Sequence, residues 1–310
     1  MREFMREIEA RQLNTAHGTI PFPAFFPVTT FGEKYALDQL IRPFLSRISP
    51  CLMVSYYYAQ QMKRRPDYPL FVDSGGFASL FEGAEIIEKE DHASIRSKDG
   101  NEISPLYVLR FQERYADIGA TLDFIIPPGM DAEECQRRQR LTIQNALFVQ
   151  QYCQSKSLTL YASLQCWDQA SAHFAAETYD KAGFKGIAIG GFVPRAKDPD
   201  YMKSIVRTVR EAAPNCLLHV FGCGNPSTMR ILIEAGADSF DSSSYVRSVL
   251  DGKKQSHTPG VGIHADIYAS LANLHQINCS ISQKNETHED AIPNYAFVMR
   301  YIKTMQNGGK

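Results

Sequence analysis

Two aspartates stand at the ends of apolar runs that lie far apart in the sequence. Asp73 ends the run "LFVD" and precedes "SGG", and Asp241 lies within "SFDSS". Two carboxylates brought to one sugar carbon suit glycosyl transfer, one as the nucleophile on C1′ and the other as the proton donor and acceptor. The glycines after Asp73, Gly75 and Gly76, would let a flat ligand approach the backbone closely.

Each aspartate also has a purely structural interpretation. Asp73 could cap a helix or form a turn, and the serines after Asp241 could cap a loop. The pairing favours chemistry, because two ionisable groups at strand ends on opposite sides of one site are poorly explained as independent caps. Gln165, Gly190 and Gly191 end two further apolar runs and would face the same site.

A phosphate could be held beside this site. The stretch "GCGNPS" (222–227) precedes a helix whose N-terminus could bind a phosphate, or it could be a plain turn capped by Asn225 or Ser227. Basic residues after the sixth and eighth runs are Arg195, Lys197, Arg247, Lys253 and Lys254. They could grip phosphates or simply be solvated, whereas "KRR" at 63–65 should lie at the opposite end.

The elements that would position these residues alternate regularly. Eight apolar runs, each followed by an amphipathic stretch, cover residues 25–30, 51–58, 70–74, 122–127, 157–164, 186–191, 216–222 and 239–243. Gly119, Gly183 and Gly236 are typical C-terminal stops of the helices. This α/β pattern predicts a (β/α)8 TIM barrel, with a doubly wound open sheet as the alternative, and barrel sites form at the carboxyl ends of the strands.

Two segments exceed a bare barrel. Residues 81–104, after the third strand, contain Asp99-Gly100 between alternating runs and predict a β-hairpin insertion. Residues 265–278 and 295–305 predict C-terminal helices. We expect one domain over residues 1–310, with the barrel at about 20–250 and a helical extension at about 260–307.

Composition excludes several classes of protein. Charged residues make up 22% of the chain and the net charge is −1, so no global field recruits nucleic acid or an anionic membrane. No apolar run approaches the ~18 residues of a membrane helix, and the polar N-terminus does not resemble a signal peptide. We therefore expect a cytoplasmic protein whose seven cysteines, none in a Cys-x-x-Cys pair, are reduced thiols.

Six segments carry a family resemblance. They are "DSGGF" (73–77), "ASIRSKDGNEISP" (93–105), "SLQ" (163–165), "GFKGIAIGG" (183–191), "GCGNPSTM" (222–229) and "ADSFDSSSYVR" (237–247). In this order they resemble the tRNA-guanine transglycosylases (queuine/archaeosine transglycosylases), which exchange guanine in a nucleic acid for a 7-deazaguanine base. The resemblance implies the barrel fold and an exchange that needs no cofactor.

The resemblance also implies roles for individual residues. Asp241 matches the aspartate that attacks C1′ and holds the covalent glycosyl intermediate, and Asp73 matches its partner in proton transfer. The base would be hydrogen bonded by Ser74, Gln165 and Gly191 and stacked on Phe77. Arg247, six residues after Asp241, would contact the nucleic-acid backbone.

One departure from the family concerns zinc. Members usually carry a Cys-x-Cys-x-x-Cys run and a distant His, whereas this C-terminal region offers Cys279 alone, and His257, His264, His275 and His288 do not complete a ligand set. We therefore expect no metal and no zinc subdomain.

A second departure concerns base recognition. The position of the family's base-reading aspartate falls on Gly129, and Asp131 could replace it only if the loop shifts. A site without that carboxylate would favour a neutral 7-substituent such as a nitrile (preQ0-like). Together the departures favour DNA over tRNA as the target, as in phage and bacterial modification systems.

Two other kinds of protein stay open. A non-catalytic partner subunit would share the fold, although it would need neither Asp73 nor Asp241. A glycoside hydrolase or nucleosidase would let water resolve the intermediate. The chain could act as a homodimer or with a partner protein.

Overall fold

The computed structural model describes residues 11–249 and 263–282, apart from 32, 33, 35, 61 and 63. Its strands are β1 (Gln12–Thr15), β2 (Gly18–Pro21), β3 (Ala24–Thr29), β4 (Leu52–Ser55), β5 (Leu70–Asp73), β6 (Glu85–Glu88), β7 (Ala93–Arg96), β8 (Glu102–Ile103), β9 (Ile118–Ala120), β10 (Thr159–Leu164), β11 (Gly186–Ile189), β12 (Leu217–Val220) and β13 (Ser239–Ser242). Its helices are α1 (Ala36–Leu45), α2 (Tyr56–Ala59), α3 (Pro105–Tyr115), α4 (Ala132–Tyr152), α5 (Gln169–Lys181), α6 (Pro199–Ala212), α7 (Pro226–Glu234), α8 (residues 244–249) and α9 (Ile263–Ser282).

Eight parallel strands close into a barrel. Their order around it is β3, β4, β5, β9, β10, β11, β12 and β13, and β13 pairs with β3 to complete the ring. Helices cover the outside, where the outward side chains of the strands form one large apolar core with them. The predicted (β/α)8 barrel is therefore confirmed. β5 and β13, which carry the two aspartates, are three strand steps apart around this ring of eight.

The fourth barrel strand lies earlier in the chain than predicted. β9 spans Ile118–Ala120, whereas the predicted run 122–127 has no regular structure. Leu122, Phe124 and Ile126 are buried as a strand pattern requires. Their backbone groups, however, hydrogen bond to side chains: Asn145 to the Leu122 carbonyl, Thr142 to the Phe124 amide and Gln165 to the Ile126 amide. Gly119, predicted to stop a helix, lies within β9, because α3 already ends at Tyr115.

An antiparallel hairpin that the sequence analysis did not predict closes the N-terminal end of the barrel. β1 pairs with β2, and the chain then enters β3. Ile20 and Phe22 are buried against the side chains that fill the barrel, among them Phe26, Phe71 and Tyr161. The interior is therefore packed at this end, and the open mouth lies at the carboxyl ends of the strands.

The insertion after β5 forms a three-stranded antiparallel sheet, β6–β7–β8. Asp99 and Gly100 make the predicted turn between β7 and β8, with Gly100 in the left-handed region at φ 81°. Glu88 binds Arg137 and Arg140 of α4 at 2.6 and 2.8 Å. The predicted hairpin is confirmed, with one strand more than expected.

The C-terminal region is described only in part. α9 confirms the first predicted C-terminal helix and packs against α1, β3 and α7. The second predicted helix, 295–305, and the polar stretch 251–260 lie outside the described residues. None of the described helices has the length and apolar character needed to cross a membrane. All seven cysteines are free thiols.

Candidate active site

Asp73 begins a tight turn at the carboxyl end of β5. Its Oδ1 accepts a hydrogen bond from the Gly75 amide at 2.7 Å, so the turn predicted as an alternative to chemistry is present as well. Gly75 has φ 74°, a conformation that glycine adopts without strain. The turn leads into a short 3₁₀ helix, Gly76–Leu80, which carries Phe77 with 56% of its surface exposed.

A carboxylate that the sequence analysis did not select, Asp123, lies beside this turn. Ser74 donates to its Oδ1 at 2.7 Å, and Gln165 Nε2 donates to its Oδ2 at 2.6 Å. Asp123, Ser74 and Gln165 are all buried. Since β9 ends at Ala120, Asp123 follows a strand end and so faces the barrel mouth, like Asp73 and Gln165.

The glycines of this region are required by their neighbours. A Cβ at Gly76 would lie 2.0 Å from Asp123 Oδ1, and one at Gly190 would lie 2.1 Å from Gln165 Nε2. Both distances are far below van der Waals contact, so any larger residue would displace the polar side chains. The second glycine of "SGG" thus makes room for a carboxylate.

Burial shifts the acidity of the carboxyl groups. Desolvation, together with the charges of Asp241 and Asp123, raises the pKa of Asp73 to about 7, against opposing hydrogen bonds from Ser55 and the Gly75 amide. Desolvation also raises the pKa of Asp123, against the hydrogen bonds from Ser74 and Gln165. Near neutral pH, Asp73 can therefore both donate and accept a proton.

Asp241 lies at the same mouth, near the end of β13, and is buried. Its Oδ1 accepts from the Gly222 amide at 2.9 Å and lies 3.1 Å from His219 Nε2. Within the described part of the chain, no residue donates a hydrogen bond to Oδ2. That oxygen is available for attack on a ligand carbon.

The structure gives Asp131 a different role from replacing a carboxylate missing at Gly129. Asp131 caps α4, accepting from the Glu134 amide at 3.0 Å, and a Cβ at Gly129 would meet nothing within 4 Å. Asp123 instead occupies the mouth. The signal for it was an acidic residue inside an otherwise apolar run, "TLDFIIP", which was misassigned because the strand was placed four residues too late.

The predicted glycine pair after β11 lies against this polar network. Gly191 has φ 77°, and its carbonyl accepts from Arg195 Nη1 at 2.9 Å. Arg195 also donates to the Ile126 carbonyl at 3.1 Å. This guanidinium, predicted as a phosphate ligand, thus ties together the segments after β9 and β11.

Arg247 lies on α8, exposed, beside a cavity of about 510 Å³ between the ends of β12 and β13 and helices α7 and α9. The cavity is also lined by Gly222 and Ser242, which adjoin Asp241. The proposed phosphate site on the α7 N-terminus is already filled: Asn225 Oδ1 accepts from the Ser227 and Thr228 amides. The turn with Asn225 as a cap was the correct alternative. Lys253 and Lys254 lie outside the described residues.

No three His, Cys, Asp or Glu side chains come together as metal ligands in the part of the chain that is described. Cys279 contacts His275 on α9, with the sulfur 3.4 Å from Nε2. His257 and His288 lie outside the described residues, and the side chain of His264 is not described.

Comparison with known proteins gives a consistent answer. Residues 8–290 match the family described as "Queuine tRNA-ribosyltransferase". The chain is 25% identical to the tRNA-guanine(15) transglycosylase of Methanothermobacter thermautotrophicus, over 90% of this chain and 42% of that protein. It is 27% identical to the protein of the same name from Methanococcus vannielii, over 87% of this chain and 43% of that protein. The chain therefore spans less than half the length of these relatives.

Proposed function

The chain belongs to the queuine tRNA-ribosyltransferase family, and from this premise we propose that it is a base-exchange transglycosylase that replaces guanine in a nucleic acid by a 7-deazaguanine. One observation carries the proposal. Asp73, Asp123 and Asp241 lie near the carboxyl ends of three barrel strands, at one open mouth, and the charges of Asp123 and Asp241 both act on Asp73. Barrel enzymes form their sites there.

In the first half of the proposed reaction, Asp241 is the nucleophile. Its Oδ2 forms a bond to C1′, and the glycosidic bond to guanine breaks with its electron pair going to the base. The protonated form of Asp73 donates the proton that the departing base requires. A covalent glycosyl-aspartate remains.

The second half reverses these steps with the incoming base. Asp73, now ionised, accepts the proton that the ring nitrogen of the 7-deazaguanine loses as this nitrogen bonds to C1′. The bond between C1′ and Asp241 breaks, and the carboxylate is regenerated. One glycosidic bond replaces another of similar energy, so the reaction requires no external energy source or cofactor.

Recognition of the base is proposed for the polar network beside Asp73. A carboxylate accepts from two neighbouring N–H groups, which is what the N1–H and 2-amino edge of guanine presents, and each oxygen of Asp123 can accept more than the one hydrogen bond it has. Ser74 and Gln165 hydrogen bond to this carboxylate, Gly191 lies against Gln165, and exposed Phe77 would stack on the base. In this proposed role, Asp123 would supply the carboxylate whose absence at Gly129 favoured a nitrile-bearing base.

The nucleic acid is proposed to be tRNA in the first place. The relatives at 25% and 27% identity are named for tRNA, and the role proposed for Asp123 would remove one of the departures that favoured DNA. DNA stays a prediction from the sequence. In either case the target guanine has to leave its stack, at a cost of a few kcal/mol that is least for unpaired bases.

Two substrates carrying labelled guanine test the proposal: transcribed tRNA and single-stranded DNA. Each is incubated with the protein, with and without an added 7-deazaguanine. Label should be released only with the added base, and Asp241→Asn should release none. Release of label without any incoming base would indicate hydrolysis instead of exchange. No release from either substrate would refute the proposed enzymatic activity and favour a non-catalytic partner subunit.

A further inference from the structure

His219 is a polar residue inside the barrel for which the proposed chemistry has no role. It lies on β12 and is fully buried. Its ring stacks on Phe26, with centroids 5.5 Å apart and planes at 12°, and contacts the rings of Phe71 and Phe221 at 4.8 and 5.1 Å. In such apolar surroundings both ring nitrogens need hydrogen-bond partners.

Both partners come from β13. Nδ1 lies 2.9 Å from Ser239 Oγ, and Nε2 lies 3.1 Å from Asp241 Oδ1. His219 and Ser239 face each other across the two strands. Asp241, two residues further along, points into the barrel like Ser239, because strand side chains alternate between faces. The imidazole therefore contacts two consecutive inward-facing residues of β13, Ser239 and Asp241.

These contacts determine which nitrogen carries the hydrogen. An ionised carboxylate only accepts hydrogen bonds, so Nε2 must be the donor to Asp241. In the neutral ring, Nδ1 is then an acceptor for the Ser239 hydroxyl. The Gly222 amide donates to the same oxygen, Oδ1, at 2.9 Å. Two donors thus hold one oxygen of the carboxylate.

Building on the proposed function, we propose that His219 is a positioning residue that holds Oδ1 of the nucleophile and presents Oδ2 to C1′. When the bond between C1′ and Oδ2 forms, Oδ1 becomes the carbonyl oxygen of an ester. When that bond breaks in the second half, its electron pair returns to the carboxylate. The Nε2–H and Gly222 N–H groups stabilise the charge that Oδ1 regains.

Two substitutions at this position separate positioning from packing. The amide nitrogen of His219→Gln can reach the place of Nε2, whereas that of His219→Asn reaches only the place of Nδ1. The readout is the single-turnover rate of covalent adduct formation on denaturing gels, with transcribed tRNA and single-stranded DNA as probes. His219→Asn should slow this rate about 10- to 100-fold, the loss of one hydrogen bond to a charged group, with KM for the nucleic acid changed less than about twofold.

The glutamine variant should recover most of the lost rate. The proposal would be overturned by equal rates of adduct formation for the two variants, or by a raised KM with an unchanged rate. If either variant fails to fold, as judged by circular dichroism, Ser239→Ala is the second test: it should slow adduct formation by releasing Nδ1, and a wild-type rate would count against the assigned hydrogen position. A wild-type protein that forms no adduct with either probe would instead refute the proposed function.

Discussion

Replacing Asp73 by asparagine should stabilise the protein at neutral and alkaline pH while removing the proposed base-exchange activity. Burial raises the pKa of this carboxyl from 3.8 to about 7. The folded chain therefore binds the proton more tightly than the unfolded chain, and the free energy of unfolding falls as pH rises from about 4 to about 7. At about 1.4 kcal/mol per pH unit, the decrease in the free energy of unfolding reaches roughly 4 kcal/mol above pH 7. Because the Asp73 side chain keeps some exposure to the mouth, we expect the variant to be more stable than the wild type by about 2 to 4 kcal/mol above pH 7.

Urea unfolding of wild type and Asp73→Asn between pH 4 and pH 8.5 measures this difference. The asparagine side chain can still accept from the Gly75 amide, so the turn is preserved. The two proteins should be equally stable near pH 4 and diverge as pH rises, with the variant more stable. Asp200→Asn, which removes an exposed carboxylate on α6, controls for general charge effects. A difference that does not change between pH 4 and pH 8 would refute the desolvation argument.

Three further perturbations follow from the contacts around the mouth. Gly76→Ala places a methyl group 2.0 Å from Asp123 Oδ1. It should therefore lower the free energy of unfolding in urea by about 1 to 3 kcal/mol and raise KM for the base. Wild-type values of both would contradict the close packing. Arg195→Met removes hydrogen bonds to the carbonyls of Ile126 and Gly191. It should lower the free energy of unfolding by about 1 to 3 kcal/mol and speed amide hydrogen exchange around residues 189–193. Unchanged exchange would show that Arg195 does not hold these segments together. Glu88→Gln breaks exposed ion pairs with α4, so it should cost less than about 1 kcal/mol, and the loss should shrink in 1 M salt in thermal melts.

The barrel was predictable because its signal is repeated. Apolar runs alternating with helices recur eight times, and an error in one run leaves the others unaffected. The strand ends at Asp73, Gln165 and Asp241 were found because each run stops at a polar residue or glycine. The turn at Asp99 and Gly100 was found because its sequence is specific to hairpins.

The features that could not be predicted from the sequence depend on side chains that hydrogen bond to the backbone where a neighbouring strand would otherwise do so. The segment after β9 is as apolar as a strand, yet its backbone groups bond to Asn145, Thr142 and Arg195 from elsewhere in the chain. Such partners are visible only in three dimensions, and the shift that they cause hid Asp123. His219 escaped notice for a similar reason, since a lone histidine in an apolar run does not indicate which residue it faces.

The order of strands has a consequence for how this protein could diversify. The network proposed to read the base follows β5, β9 and β10, with Gly191 after β11, and these four strands are adjacent, whereas the proposed nucleophile and His219 belong to β13 and β12. β3 and β4 separate the two groups on one side of the ring, and on the other side β11 is next to β12. If the proposed function holds, substitutions that change the accepted base can accumulate on the first arc of the barrel while the arc of β12 and β13 stays intact, and a selection for new bases should yield changes confined to the first arc.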